Sequence, residues 1–177
     1  MDAEALKAVT DQVTNEGEVV QLANLNCPGQ IVISGTKQGV EKACEQAKQA
    51  GAKRAIPLVV SGPFHSELMR PAASKLEEAL NKLEMHNTDV PVISNVTAAP
   101  VTEAGQMRDL LVQQLYSPVR FEESIRTLLE LGVDTFIECG PGKVLSGLVK
   151  KIDRSAVIYS AYDQETVEKL IEASKEW

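Results

Sequence analysis

The sequence predicts an α/β fold, and three observations carry that prediction. Residues 1–60 read as helix, strand, strand, helix, strand. After residue 60, strands alternate with helices, the pattern of a parallel layer. Between the two stretches, Gly62-Pro63 breaks an apolar run just before a helical pattern begins. With 177 residues, 44% of them hydrophobic, the chain can bury a core as one large domain or two small ones.

Each element has a local reason. Leu6, Val9 and Val13 share one face of a helix over 2–16, with Asp2 placed to cap it and Gly17 to end it. Strands at 19–24 and 30–35 follow, joined through 25–29 by a Pro28-Gly29 turn into a hairpin. Val40, Ala43 and Ala47 define a helix over 38–50 that stops at Gly51, and 55–60 is extended and apolar. This order is one strand short of the β-α-β-β-α-β ferredoxin-like unit, and the missing strand is expected just upstream of Met1.

Beyond His65, a leucine-rich stripe predicts a helix over 67–83 with Ser66 as its N-cap. A buried strand is expected at 90–96, a loop to about 106, and helices at 107–116 and 121–131 separated by Ser117-Pro118. A strand at 135–139, a helix at 143–152, a strand at 156–160 and a helix from 164 to 177 opened by Asp163 complete the chain. The expected domains are 1–60 and 61–177.

Composition excludes several classes of function. A net charge of -7 is the wrong sign for holding nucleic acid, whose phosphates call for clustered lysine and arginine. No apolar run approaches the ~20 residues of a membrane span, and the N-terminus has neither a basic nor an apolar signal region. A cytoplasmic protein without membrane contact is expected. Cys27, Cys44 and Cys139 are odd in number and never in C-x-x-C, so no disulfide framework or metal site is expected, only small buried thiols.

Two histidines are present, and their settings differ. His86 lies in a polar stretch and reads as a surface residue. His65 lies at a strand-to-helix turn, where α/β enzymes gather their chemistry. The positive end of a following helix is expected to disfavour imidazolium and leave the ring ready to accept a proton. No G-x-S-x-G elbow accompanies it, and Ser34, Ser61 and Ser146, the serines next to glycine, lack the second glycine at elbow spacing. This is a base without its nucleophile. Gly140-Pro141-Gly142-Lys143 lacks the earlier glycine and the following Ser or Thr of a phosphate loop and reads as a tight turn, whose backbone N–H groups can still meet a carboxylate or phosphate.

Four stretches together resemble one family: residues 24–35 (NLNCPGQIVISG), 62–72 (GPFHSELMRPA), 114–121 (QLYSPVRF) and 137–145 (IECGPGKVL). In this order they resemble bacterial malonyl-CoA:acyl carrier protein transacylases, of which the chain would match the C-terminal three fifths or so. The resemblance implies the C-terminal part of an α/β-hydrolase-like acyltransferase, with an inserted ferredoxin-like small subdomain lacking its first strand. It implies transfer of malonyl from coenzyme A, through a seryl ester, to the phosphopantetheine thiol of acyl carrier protein, without a cofactor. His65 matches the catalytic base, and Gln114 the residue whose backbone carbonyl orients it. Asn24 and Asn26 match positions facing the substrate cleft, and Phe64 resembles the residue before the base in malonyl-selective members. The oxyanion loop, the serine elbow and the malonate-binding arginine of the family have no counterpart in this sequence.

The chain alone is therefore expected to be inactive, and its unpaired strand edges to favour self-association. Two other readings stay open. One has methylmalonyl or another acyl group in place of malonyl, and the other makes residues 1–60 a ferredoxin-like interaction module without catalysis.

Overall fold

A computed structural model describes all residues, Met1–Trp177. The chain forms two compact units, Met1–Ser124 and Ile125–Trp177. The division expected at residue 60 lies inside the first of these.

In the first unit, α1 (Ala3–Asn15) is capped as its sequence implies, the Asp2 carboxylate accepting the Ala5 N–H at 2.8 Å. At the other end of the helix, Thr14 Oγ1 donates to the Val20 carbonyl at 2.8 Å and accepts the Val20 N–H at 3.1 Å, which fixes where the next strand starts. That strand, β1 (Val20–Cys27), pairs antiparallel with β2 (Gln30–Gly35) from Val20↔Gly35 to Cys27↔Gln30. Only Pro28-Gly29 is left for the turn, and Gly29 adopts φ 76°. Leu25, Asn26 and Cys27, expected in the connection, belong to the strand, because register shifts at Leu22/Asn24 and Leu25/Cys27 let pairing continue to the turn.

A helix α2 (Lys37–Gln49) returns over the hairpin, its first turn closed by Thr36 Oγ1, which accepts the Gly39 N–H at 2.9 Å and donates to Glu18 at 2.6 Å. Val13, Val20 and Ala43 form the buried centre, with Val9, Ile33 and Val40 packed around them. Gly35 is required at the junction: a Cβ there would sit 2.1 Å from the Val19 carbonyl oxygen.

Residues 55–60 are not a strand. Their backbone pairs with nothing in the chain, and a strand exists only through its ladder. Ile56, Leu58, Val59 and Val60 are consequently exposed, Val59 fully.

The helix expected over 67–83 is split. Pro71 has no N–H to bond the Glu67 carbonyl, so Arg70 takes that acceptor in a 3-10 turn over Glu67–Met69, and α3 (Arg70–Leu80) follows. Ser66 does not cap the helix. It is completely buried, and its hydroxyl donates to the Pro63 carbonyl at 2.6 Å.

The strand expected at 90–96 shrinks to β3 (Val92–Ile93), paired with an unexpected β4 (Pro100–Val101) across a tight turn in which Ala98 N–H donates to Ser94 O at 2.8 Å. It is not buried either, since Val92 is half exposed. The helix α4 (Ala104–Gln114) starts where the Asn87 side chain accepts the Ala104 N–H at 2.9 Å. After Ser117-Pro118, α5 (Phe121–Glu130) runs across the boundary between the units.

The second unit contains β5 (Thr135–Cys139), α6 (Val144–Ile152), β6 (Val157–Ala161) and α7 (Gln164–Ser174). The two strands pair in parallel from Thr135↔Val157 to Cys139↔Ala161, the parallel arrangement expected from the alternation of elements. Leu148 and Val149 of α6 are buried, as is Ala156. Asp163 and Thr166 close a reciprocal capping box on α7. Cys27 is buried and Cys44 half-buried, but Cys139, expected to be buried, is exposed at the end of β5.

Candidate functional site

The best-defined constellation centres on His65, in the loop between the unpaired 55–60 segment and the 3-10 turn. Its backbone is left-handed, φ 61°, a conformation uncommon outside glycine that persists only where surroundings enforce it. The enforcement is visible. His65 N–H donates to the Leu115 carbonyl at 3.0 Å, and the ring nitrogen Nδ1 lies 2.8 Å from the Gln114 carbonyl oxygen. Buried Ser66 clasps the loop from inside through its bond to Pro63.

These two carbonyls are the end of α4. The last turn of a helix leaves carbonyls without intrahelical donors. Those of Val112 and Gln113 are taken by the N–H groups of Leu115 and Tyr116 at 3.2 and 3.1 Å, and those of Gln114 and Leu115 by the two N–H groups of His65. A carbonyl oxygen only accepts, so Nδ1 carries the proton and Nε2 presents its lone pair.

His65 faces the C-terminal end of α4, and the 3-10 turn that leads into α3 begins just after Ser66.

Phe64 and His65 border a hollow of about 170 Å³ together with Leu76 and Leu80 of α3, Leu111 and Gln114 of α4. Phe64 is half exposed there. Beside it, Arg70 forks onto Glu67 at 2.6 and 2.8 Å, and its guanidinium lies 3.9 Å over the Tyr116 ring. The hydrogen bond from Arg70 holds the Glu67 carboxyl below its ordinary range. The Glu67 N–H donates to the Gln21 side chain at 3.0 Å, linking the histidine loop to β1.

Asn24 and Asn26 lie on β1, both half-buried. Residues 114–121 connect their strand to His65: Leu25 N–H donates to Val119 O and Val119 N–H to Ala23 O, each at 2.8 Å, an isolated parallel bridge centred on Asn24 and Val119. The fold thus brings Phe64, His65 and Gln114 into one place and ties the strand of Asn24 and Asn26 to it through the backbone. Leu115 also takes part through its carbonyl, and Asn95 through a hydrogen bond from Nδ2–H to Gln114 Oε1 at 2.9 Å. A backbone acceptor such as Leu115 leaves no mark in a sequence, and an asparagine beside a turn ordinarily satisfies local backbone groups, so nothing in the sequence singles out Asn95.

In the second unit, the turn read from Gly140-Pro141-Gly142 is present, with φ 129° at Gly140 and 94° at Gly142. The N–H groups behind it meet a carboxylate belonging to the chain itself. Glu138 accepts from Leu145 N–H at 3.0 Å, Ser146 N–H at 2.7 Å and the Ser146 hydroxyl at 2.5 Å. Burial raises the Glu138 carboxyl, but these bonds and one from Val144 N–H outweigh it and hold the group below its ordinary range. No three His, Cys, Asp or Glu side chains gather as a metal site, and no helix is long and apolar enough to cross a membrane.

His65 is thus a left-handed residue pinned to a helix end, with Nδ1 tied and Nε2 left as the ring's acceptor. Residues 1–172 match the model of the acyl transferase domain, and the chain belongs to that family. Among its relatives, the malonyl CoA-acyl carrier protein transacylase of Bacillus subtilis (strain 168) is 65% identical over 99% of this chain, and that of Staphylococcus aureus (strain COL) 42% identical over 94%. The chain spans 56% and 54% of their lengths. Among solved structures, the malonyl transacylase of Streptococcus pneumoniae superposes with a TM-score of 0.93 at 43% identity, covering 98% of this chain and 56% of that one. A malonyl transacylase solved in complex with a type II polyketide acyl carrier protein also gives 0.93, at 40% identity over 98% of this chain.

Proposed function

We propose that these 177 residues supply the base and part of the substrate cleft of a malonyl-CoA:acyl carrier protein transacylase of fatty acid biosynthesis. The observation that carries the reading is the 2.8 Å bond from His65 Nδ1–H to the Gln114 carbonyl, which leaves Nε2 as the acceptor.

His65 Nε2 takes the proton of a serine hydroxyl as the oxygen attacks the thioester carbonyl of malonyl-CoA. The resulting imidazolium, facing the negative end of α4, returns that proton to the departing coenzyme A sulfur, leaving a malonyl ester on the serine. The phosphopantetheine thiol of the carrier protein then gives its proton to Nε2 and attacks the ester, and the serine oxygen recovers the proton. Gln114 serves through its carbonyl, fixing tautomer and ring plane, the part an aspartate plays in a protease triad. Asn24, Asn26 and Phe64 line the cleft for the thioester and pantetheine arm.

The serine itself stands outside these residues, since no G-x-S-x-G occurs among them. In the complete protein, residues 1–60 would form the ferredoxin-like small subdomain, completed by one further strand, and 61–177 part of the α/β-hydrolase-like large one. The support for malonyl as the acyl group is the 65% identity to a malonyl transacylase together with Phe64 before the base.

The test uses this chain alone and joined to the serine-bearing portion of the Bacillus subtilis relative, with malonyl-CoA and phosphopantetheinylated carrier protein. Transfer is expected only from the joined protein. Transfer by the chain alone, or a joined protein that prefers methylmalonyl-CoA, would overturn the reading.

A further inference from the structure

The bond that fixes the His65 tautomer ends on a backbone carbonyl in the frayable last turn of α4, so something must hold that turn. The candidate is Asn95. Its side-chain Nδ2–H donates to Gln114 Oε1 at 2.9 Å, gripping the residue whose carbonyl meets the imidazole.

Asn95 is itself immobilised. It sits in the turn between β3 and β4, where Ser94 N–H donates to Ala99 O at 3.0 Å and buried Ala98 is held at φ 53°. Its carbonyl accepts the Arg120 N–H at 2.9 Å. The Arg120 guanidinium adds longer contacts to the carbonyls of Val96 and Thr97, at 3.4 and 3.3 Å, and pairs with Glu123. One turn therefore anchors residues 114–120 twice, at Gln114 by a side chain and at Arg120 by the backbone.

We propose that Asn95 is a positioning residue for the imidazole: its amide locks Gln114, and through it the carbonyl that keeps the His65 proton on Nδ1. The bearing of this lock on acyl transfer rests on the function proposed above; the lock itself does not.

The experiment reads the tautomer directly. In the ¹⁵N-labelled chain at about pH 9, above the ordinary histidine range, long-range ¹H–¹⁵N correlations report which ring nitrogen of each histidine is protonated. His65 and His86 are the two to resolve. The wild-type His65 ring is expected in the Nδ1–H form. Asn95→Leu is expected to raise the ratio of Nε2–H to Nδ1–H by about fivefold, the weight of one ordinary hydrogen bond. Asn95→Asp is expected to restore the wild-type ratio, because a turned Gln114 amide can donate to the carboxylate. An unchanged tautomer in folded Asn95→Leu, or Asn95→Asp behaving like Asn95→Leu, overturns the proposal. Should Asn95→Leu fail to fold, Gln114→Leu removes the same bond from the other side while keeping the carbonyl, and the same shift is required of it. A tautomer that responds as expected while the joined protein transfers no malonyl would refute the transfer reading and leave the lock standing.

Discussion

His65 Nδ1 and the Gln114 carbonyl oxygen stand 2.8 Å apart, although 49 residues separate them in the chain. The end of a helix orients the imidazole, with no buried carboxylate to desolvate.

Removing the imidazole of the proposed base while keeping its backbone separates catalysis from folding. Asparagine tolerates left-handed φ and carries no proton-accepting nitrogen. In the joined enzyme, His65→Asn should lower the rate of malonyl transfer by about 10²–10⁴-fold, the usual weight of a general base, with a melting temperature close to wild type. Steady-state transfer to the carrier protein and a thermal melt check both halves.

Gly35 should be intolerant of a single methyl. The Cβ of Gly35→Ala would lie 2.1 Å from Val19 O and 2.6 Å from Val20 Cα, both backbone atoms that cannot swing aside. Overpacking of this kind costs about 1–3 kcal/mol, to be read as a lower urea midpoint.

The exposed run of Ile56, Leu58, Val59 and Val60 should make the isolated chain self-associate. Its unpaired backbone and apolar side chains offer a template for edge pairing. Sedimentation velocity is expected to show concentration-dependent oligomers that Ile56→Lys with Val59→Glu shifts toward monomer. A wild-type chain that stays monomeric across the accessible range would contradict this.

Glu138 ties stability to acid. Its carboxyl is depressed in the folded state, so its contribution is fully present above the unfolded value of about 4.3 and is lost as pH falls through the lower folded value. Urea unfolding followed from pH 7 downward should show a loss of stability below about pH 4.3 that is smaller in Glu138→Gln, which keeps an acceptor oxygen but does not titrate.

Legibility followed the physics of each signal. The starts of helices with side-chain caps are legible to within a residue, because Asp2, Thr36 and Asp163 bond groups three residues away. Strand β5 was readable as well. The apolar runs at 55–60 and 90–96 were misread, since hydrophobicity records a preference for burial and says nothing of whether a ladder partner exists. Pro28-Gly29 marked the turn, but the register shifts that lengthen β1 have no residue signature. At the site, Gly62-Pro63 marks the turn that holds His65, while Gln114, which meets the ring through its backbone carbonyl, is marked only by the family resemblance. Pro71 withholds an N–H and gives the helix after Ser66 a 3-10 first turn, and α4, whose end meets the imidazole, comes from elsewhere in the sequence.

Glu138 has a consequence for redesign. The glycine turn beside it looks like an invitation to nucleotide phosphates, yet its donors are already engaged by an internal anion. Grafting phosphate recognition onto this corner would have to begin by evicting that side chain, and the vacated helix start would then compete for any anion in the buffer.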